Sequence, residues 1–514
     1  MFCRVHSGAV HGIEGIRIEV EVDLSDGLPS LSMVGMLSSE IKESSERVRT
    51  ALKNSCFKIP PKRITVNLSP ANIRKQGTLY DLPIAVGILT GMGYIKAACL
   101  EQILILGELS LDGKVNPVKG VLPIVYAARE TGISCCIIPK KNRKEGALVE
   151  QIQVIGVSSL EEVLQVLKDP QQFCQEKIEK SKWEPTDQEK VDFSEVNGQE
   201  ALKRAVQVAA AGMHNFLMVG PPGSGKTMIA RRIPTILPPM TLEESIEVTK
   251  IYSVAGLLSD QNPLIVKRPF RAPHHTISAS SLVGGGRIPK PGEVSLSNYG
   301  VLFLDELPEF SKTVLEVLRQ PMEDRKVMVS RVYGSYEFPT NFMLVAALNP
   351  CSCGYYPDRN RCNCKVTEVS RYLGRISRPL LDRIDICMEV SGMEYADIRS
   401  AERKGKQKGE DSAVMRERVI QARERQRVRY QKEGIITNSG LSASQIQQYC
   451  KLDKKGEKLL EQAFTHLRLT ARGYHRILKV ARTIADLDGE EKILVRHLSE
   501  AICYRSTNIS EWRE

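Results

Sequence analysis

The run Gly220-Pro221-Pro222-Gly223-Ser224-Gly225-Lys226-Thr227 has the residue types and spacing to hold the phosphates of a nucleotide. Glycines let the backbone curl so that its N–H groups point inward with no Cβ in the way. Lys226 would neutralise the β- and γ-phosphates, and the Thr227 hydroxyl would ligate Mg²⁺. The apolar run Phe216–Val219 reads as a buried parallel strand entering the loop. The residues from Thr227 and Met228 to Ile233 read as the helix leaving it, whose N-terminus adds partial positive charge. A chance glycine–lysine turn would not be framed in this way. A second set follows at Val301–Leu304, a central strand ending in Asp305 and Glu306. Its carboxylates emerge at the C-terminal end of the strand, where ligands of open α/β sheets collect. Asp305 would hold Mg²⁺ through water, and Glu306 would orient and polarise an attacking water. Together the two sets specify hydrolysis of ATP with Mg²⁺.

Cys351, Cys353, Cys362 and Cys364 form two Cys-x-Cys pairs around a turn. They can supply a tetrahedral thiolate set for structural Zn²⁺, and the alternative is four unligated thiols in a reducing compartment. Four thiolates leave no open coordination position, so a catalytic metal there is excluded. Arg287, Lys290 and Arg331 lie in two stretches flanking the Asp-Glu strand, the second reading as a hairpin over residues 326–338. They could contact nucleic-acid phosphates or be ordinary exposed loop charges. His274 and His275 have no third ligand nearby and read as structural.

The elements that must position these groups are legible in outline. The fold class is α/β. Residues 1–168 alternate short strands, such as Ile16–Val22 and Ile64–Leu68, with helices at Ser44–Leu52, Leu79–Met92 and Val121–Thr131. Residues 169–191 are polar and charged, as a linker is. Residues 192–393 hold the nucleotide motifs. Residues 394–514 are helical and basic, with a charged loop at 401–410, a basic helix at Arg416–Tyr430 and another helix from Leu469 to Leu487. At 514 residues the chain has room for about three domains. It shows no apolar run of about 20 residues and no charged-then-apolar leader, which places it in the cytoplasm without a membrane anchor. Thirteen cysteines, an odd number, do not form a secreted disulfide framework. A net charge of +11 favours an acidic partner such as nucleic acid.

Several motifs carry resemblances. Residues 63–68, 81–85 and 107–115 resemble the S5-like domain of Lon proteases and of a recombination protein. Active Lon proteases carry a Ser–Lys dyad there. Here Asp81 stands at the serine position and Leu122 at the lysine position, so no acyl-enzyme can form and proteolysis is not expected. Residues 192–393 resemble an AAA+ ATPase core, a parallel sheet with helices on both faces. In that class Asn349, at the tip of the strand Met343–Leu348, matches the sensor that places the lytic water, although an Asn before Pro350 also suits a turn. Arg383 resembles the arginine finger that reaches the neighbouring subunit's γ-phosphate, the alternative being a structural pair with Asp382 or Asp385. Arg472, with Arg476 one turn behind, matches the second sensor arginine of the helical lid. The flanking insertions mark the branch holding magnesium-chelatase motors and ring helicases, in which they become pore loops. The whole chain resembles the ComM/YifB family. That resemblance implies a homo-oligomeric ring, a hexamer, acting on single-stranded or branched DNA as a helicase or branch-migration translocase in recombination or transformation. A chelatase-type ATPase remodelling a partner protein is the competing expectation.

Overall fold

The computed structural model describes residues 1–169, 191–196, 198–259, 261–286, 289–331, 334–391, 410–467 and 469–505. The expected linker and the charged loop at 401–410 lie almost wholly outside these residues, and Arg287 lies outside them as well.

The N-terminal domain is built on a seven-stranded sheet. Its strands are β1 (Phe2–His11), β2 (Glu14–Ser25), β3 (Ser30–Val34), β4 (Arg63–Ser69), β5 (Ile103–Ile105), β8 (Cys135–Pro139) and β9 (Gln153–Val157), with a small hairpin of β6 (Glu108–Leu109) and β7 (Val115–Asn116) beside it. The order is β3-β4-β2-β1-β5-β8-β9. β1, β2 and β4 run antiparallel, and β5, β8 and β9 run parallel. β2 alternates buried and half-buried residues along Ile18–Leu24, as a strand with one covered face must. The helix Asp81–Gly91 is buried on every side, which explains why its sequence is apolar without amphipathic period.

The second domain is organised on a five-stranded parallel sheet of β10 (Phe216–Val219), β11 (Phe270–Arg271), β14 (Val301–Leu304), β17 (Met343–Leu348) and β18 (Ile386–Glu389), in the order β11-β14-β17-β10-β18. Every residue of β10, β14 and β17 is buried. Helices cover both faces, so these strands carry unbroken apolar runs instead of alternation. Two hairpins project from this core: β12 (Gly284–Gly285) with β13 (Lys290–Pro291), and β15 (Lys326–Arg331) with β16 (Gly334–Pro339). The helices Ser412–Arg429, Lys454–His466, Ala471–Leu487 and Val495–Cys503 form the C-terminal part. The basic helix is less of a free surface than its sequence suggests. Met415, Val419 and Ala422 are buried, Arg423 donates to the Ala210 carbonyl, and Arg429 pairs with Asp486. Among the described residues no helix is long and apolar enough to cross a membrane.

The two α/β domains are docked. The Ser253 hydroxyl donates to buried Glu145 at 2.5 Å, Gly120 N–H donates to the Ser253 carbonyl, and Lys250 pairs with Glu14 and lies over the Tyr126 ring. His11 stacks on Tyr336 of β16 with ring centroids 4.5 Å apart.

Candidate nucleotide site and cysteine cluster

β10 delivers the chain to the glycine-rich loop, and the helix Lys226–Ile236 carries it away. Gly223 and Gly225 sit at φ 76° and 85°, the left-handed region where a Cβ is costly, and this lets the backbone turn tightly between β10 and the helix. Lys226 is buried within that turn. Its Nζ donates to the carbonyls of Gly220 (2.8 Å) and Pro221 (2.9 Å) and to Asn349 Oδ1 (3.1 Å). Burial lowers the Lys226 pKa, opposed by the charges of Asp305 and Glu306. Thr227 donates to Asp305 Oδ2 at 2.7 Å, so the two oxygen donors expected to share Mg²⁺ already converge. Glu306 follows at φ 52°, a conformation a non-glycine residue adopts only when its surroundings impose it. Lys226, Thr227, Asp305, Glu306 and Asn349 thus gather at the carboxyl ends of β10, β14 and β17, where such sheets bind ligands.

Arg383 and Arg472 lie elsewhere. Arg383 precedes β18, at the amino ends of the strands, where Asn215 donates to its carbonyl. Its side chain is 4% exposed. It pairs with Glu323 at 2.6 Å and donates to the Pro379 carbonyl, and its Nε has no partner. The partner is therefore Glu323, and neither Asp382 nor Asp385. Asp385 is taken by Arg476 at 2.6 Å. Arg472 is exposed, 3.8 Å from the same Glu323. The finger and sensor candidates thus share one carboxylate at the end of the sheet opposite the phosphate loop.

The four cysteines are brought together, with their sulfurs all within 4.8 Å of one another. Gly354 and Tyr356 N–H groups donate to Cys351 Sγ at 3.2 and 3.4 Å, an arrangement that suits a thiolate ligand. The Ser352 hydroxyl, with the Cys353 amide, brings the Cys364 thiol down to about 7. This donor set fits Zn²⁺ in a closed tetrahedral site. The cluster also abuts the phosphate loop, because a Cβ on Gly354 would lie 2.5 Å from Pro222 Cδ.

Of the nucleic-acid candidates, Lys290 is exposed and lines a cavity of about 460 Å³ shared with the N-terminal domain. Arg331 donates to the Ser330 and Gly286 carbonyls, tying the two hairpins together. One residue that the sequence reading set aside is drawn into the site. His275 Nδ1 stands 3.6 Å from Glu306 Oε2. A metal-ligand template could not find it, since its partner is a single carboxylate just beyond the end of β14.

Known proteins resemble this chain along nearly its whole length. Residues 192–398 match the family described as "Magnesium chelatase, subunit ChlI", residues 20–142 "Subunit ChlI of Mg-chelatase" and residues 409–505 "Magnesium chelatase, subunit ChlI C-terminal". Competence protein ComM of Haemophilus influenzae is 42% identical over 508 residues, covering 98% of this chain and 97% of that protein. The chain belongs to the ComM/YifB family. The YifB protein of Escherichia coli is 41% identical over 506 residues, 98% of this chain and 96% of its own. Lon protease 2 of Bacillus subtilis is 29% identical over 173 residues, 30% of each chain. That partial likeness fits the N-terminal domain. The ComM/YifB architecture is therefore an AAA+ core of the magnesium-chelatase type between a Lon-like region and a helical C-terminal domain.

Proposed function

We propose that the protein is an ATP-hydrolysing ring motor of the cytoplasm that acts on single-stranded or branched DNA, as a helicase or branch-migration translocase in recombination or transformation. The convergence of Lys226, Thr227, Asp305, Glu306 and Asn349 on one sheet edge carries the ATPase part. Gly220 to Met228 wrap the phosphates, and Lys226 exchanges its carbonyl partners for phosphate oxygens. Thr227 and Asp305 would hold Mg²⁺, which offsets phosphate charge. Glu306 takes up and orients the water, and Asn349 fixes its far side. Arg383 and Arg472 stand too far from their own loop, so they serve the nucleotide of the next copy, which makes the working unit a ring; the family resemblance implies a hexamer. Cys351, Cys353, Cys362 and Cys364 would hold a structural zinc beside the loop.

The DNA part is supported by full-length likeness to a protein named for competence, by the basic balance, by the hairpins bearing Lys290 and Arg331, and by Arg287 in the sequence between β12 and β13. A second reading, a chelatase-type ATPase that remodels a partner protein, is favoured by the family match itself. ATP turnover measured with and without single-stranded and branched DNA over a salt series separates them. Salt-sensitive stimulation is expected, since phosphate contacts release counterions. Absence of both binding and stimulation refutes the DNA reading.

A further inference from the structure

We infer that Cys351 and Cys353 are a site of reversible oxidation by a hydroperoxide, and that the disulfide between them weakens the adjoining nucleotide site. The inference rests on the ATP and zinc readings above and adds a control that neither contains. Cys353 is exposed, whereas Cys351, Cys362 and Cys364 are buried. One sulfur of the cluster is therefore open to an oxidant, and a resolving thiol stands beside it, with Cys351 Sγ 3.3 Å from Cys353 Sγ. Oxygen transfer from hydrogen peroxide to the Cys353 thiolate gives a sulfenic acid and hydroxide. The Cys351 thiol then attacks that sulfur, the S–O bond breaks, and water leaves as the S–S bond forms. The two sulfurs lose two electrons, and the peroxide gains them; its hydroxide takes up the proton that Cys353 released, so two waters result. Cys362 and Cys364 remain, half the thiolates that a closed tetrahedral site needs.

The pair is built into the wall of the nucleotide site. Asn349, whose Oδ1 accepts from Lys226 Nζ at 3.1 Å, stands two residues before Cys351. Cys351 Sγ gathers the turn that follows, accepting from the N–H groups of Gly354 at 3.2 Å and Tyr356 at 3.4 Å. A thiolate holds such donors more strongly than a neutral disulfide sulfur does. Gly354, at φ 90°, rests against the phosphate loop so closely that a Cβ there would lie 2.5 Å from Pro222 Cδ. Loss of the charged acceptor slackens the turn that braces Pro222, and drawing Cys351 toward Cys353 shifts the chain that carries Asn349. Lys226 is thereby disturbed from two sides. Cys3, Cys135, Cys136, Cys387 and Cys450 are buried, which shields them from the same oxidant.

The test uses the full chain with the exposed Cys56, Cys99 and Cys503, and Cys174, replaced by serine, treated with hydrogen peroxide. Three quantities are followed together: the disulfide by peptide mass spectrometry, zinc release with a metallochromic dye, and affinity for a fluorescent ATP analogue. Formation of the Cys351–Cys353 disulfide should weaken nucleotide binding about tenfold, and dithiothreitol with added zinc should restore it. Cys353→Ser in the same background should slow the loss at least about tenfold, because it removes the exposed sulfur. If that variant does not fold, the time course decides, since oxidation of Cys353 must coincide with the loss of affinity. Unchanged affinity in a folded chain that carries the disulfide overturns the inference, as does a loss of affinity with the cluster still reduced. A chain purified without zinc would refute the zinc reading, while the disulfide's effect on affinity would still judge the inference. A reduced chain that binds no ATP would overturn both the nucleotide reading and the inference.

Discussion

Replacing Arg383 tests whether the active site is divided between copies. β10 spans four residues, roughly 13 Å at strand rise, and Arg383 lies beyond its amino end while the phosphate loop lies beyond its carboxyl end. An arginine side chain cannot cover that separation within one subunit. If Arg383 stabilises the transition state in trans, Arg383→Ala should bind ATP normally and hydrolyse it at least about a thousandfold more slowly, some 4 kcal/mol. Glu306→Gln should be equally inactive for a different reason. In an equal mixture a site works only where an Arg383→Ala subunit, with its Glu306 intact, meets a Glu306→Gln neighbour that supplies Arg383. Random assembly makes such pairings about a quarter of all sites, so phosphate release should recover to about a quarter of wild type if sites fire independently. The assay is a titration of one variant into the other, with mixed assembly verified by tagged pull-down. Arg383 is also buried against Glu323, and its loss frees that half-exposed carboxylate to rehydrate. A stability loss of about 1–3 kcal/mol is expected and is read separately by thermal melting. Mixed, folded assemblies that recover nothing would refute the division.

Lys226→Ala should weaken ATP binding at least about tenfold, because the ammonium meets phosphate in the ground state, whereas Glu306→Gln should retain ATP and stall; equilibrium binding with a fluorescent nucleotide checks both. Cys362→Ser should lower bound zinc, measured by mass spectrometry of the metal, from about one per chain toward zero. Gly354→Ala keeps all four thiols but sets a Cβ against Pro222 in a left-handed backbone, and it should loosen ATP binding while zinc stays bound. Burial opposes the charge on Asp385, yet Arg476 and His214 outweigh it and hold its carboxyl well below the usual range. Its contribution to stability is therefore present above the unfolded value of about 4 and is lost as pH falls toward the folded one. Asp385→Asn should cost about 3–5 kcal/mol near neutrality and flatten the acid limb of a denaturation series.

What the sequence disclosed and what it withheld divide along physical lines. β10, β14 and β17 were readable because a strand covered on both faces is an unbroken apolar run, and the glycine-rich loop, Asp305 and Asn349 that end the three runs mark the ligand edge. The same logic located Lys226, Asp305 and Asn349 relative to one another. Glu323 as the partner of Arg383 could not be read, since the pair joins residues sixty positions apart with no periodicity to announce them. The place of His275 was hidden for a similar reason: beside another histidine it invites a metal template, and only the folded chain brings it within 3.6 Å of Glu306. The basic helix Ser412–Arg429 shows the converse, because its charge suggested a free surface while tertiary packing claimed Arg423 and Arg429.

Asp81 and Leu122, the two positions expected from the resemblance to correspond to the Lon dyad, are both committed to internal contacts. Asp81 is fully buried, accepting from Ser44, from Arg47 and from the Leu109 amide, so its carboxylate is spent inside the domain and none of it faces a substrate. Leu122 is buried as well, and its backbone N–H donates to Glu145. Glu145 is the residue that accepts from Ser253 of the second domain, and burial raises its pKa. A buried carboxyl of this kind is retained only where several donors meet it, and one of those donors belongs to the other domain. The region around Leu122 and Glu145 is thus a docking surface for the second domain, and β16 meets the N-terminal domain as well, at His11. Any motion of the two hairpins during turnover must therefore be felt by the N-terminal domain as well as by the sheet.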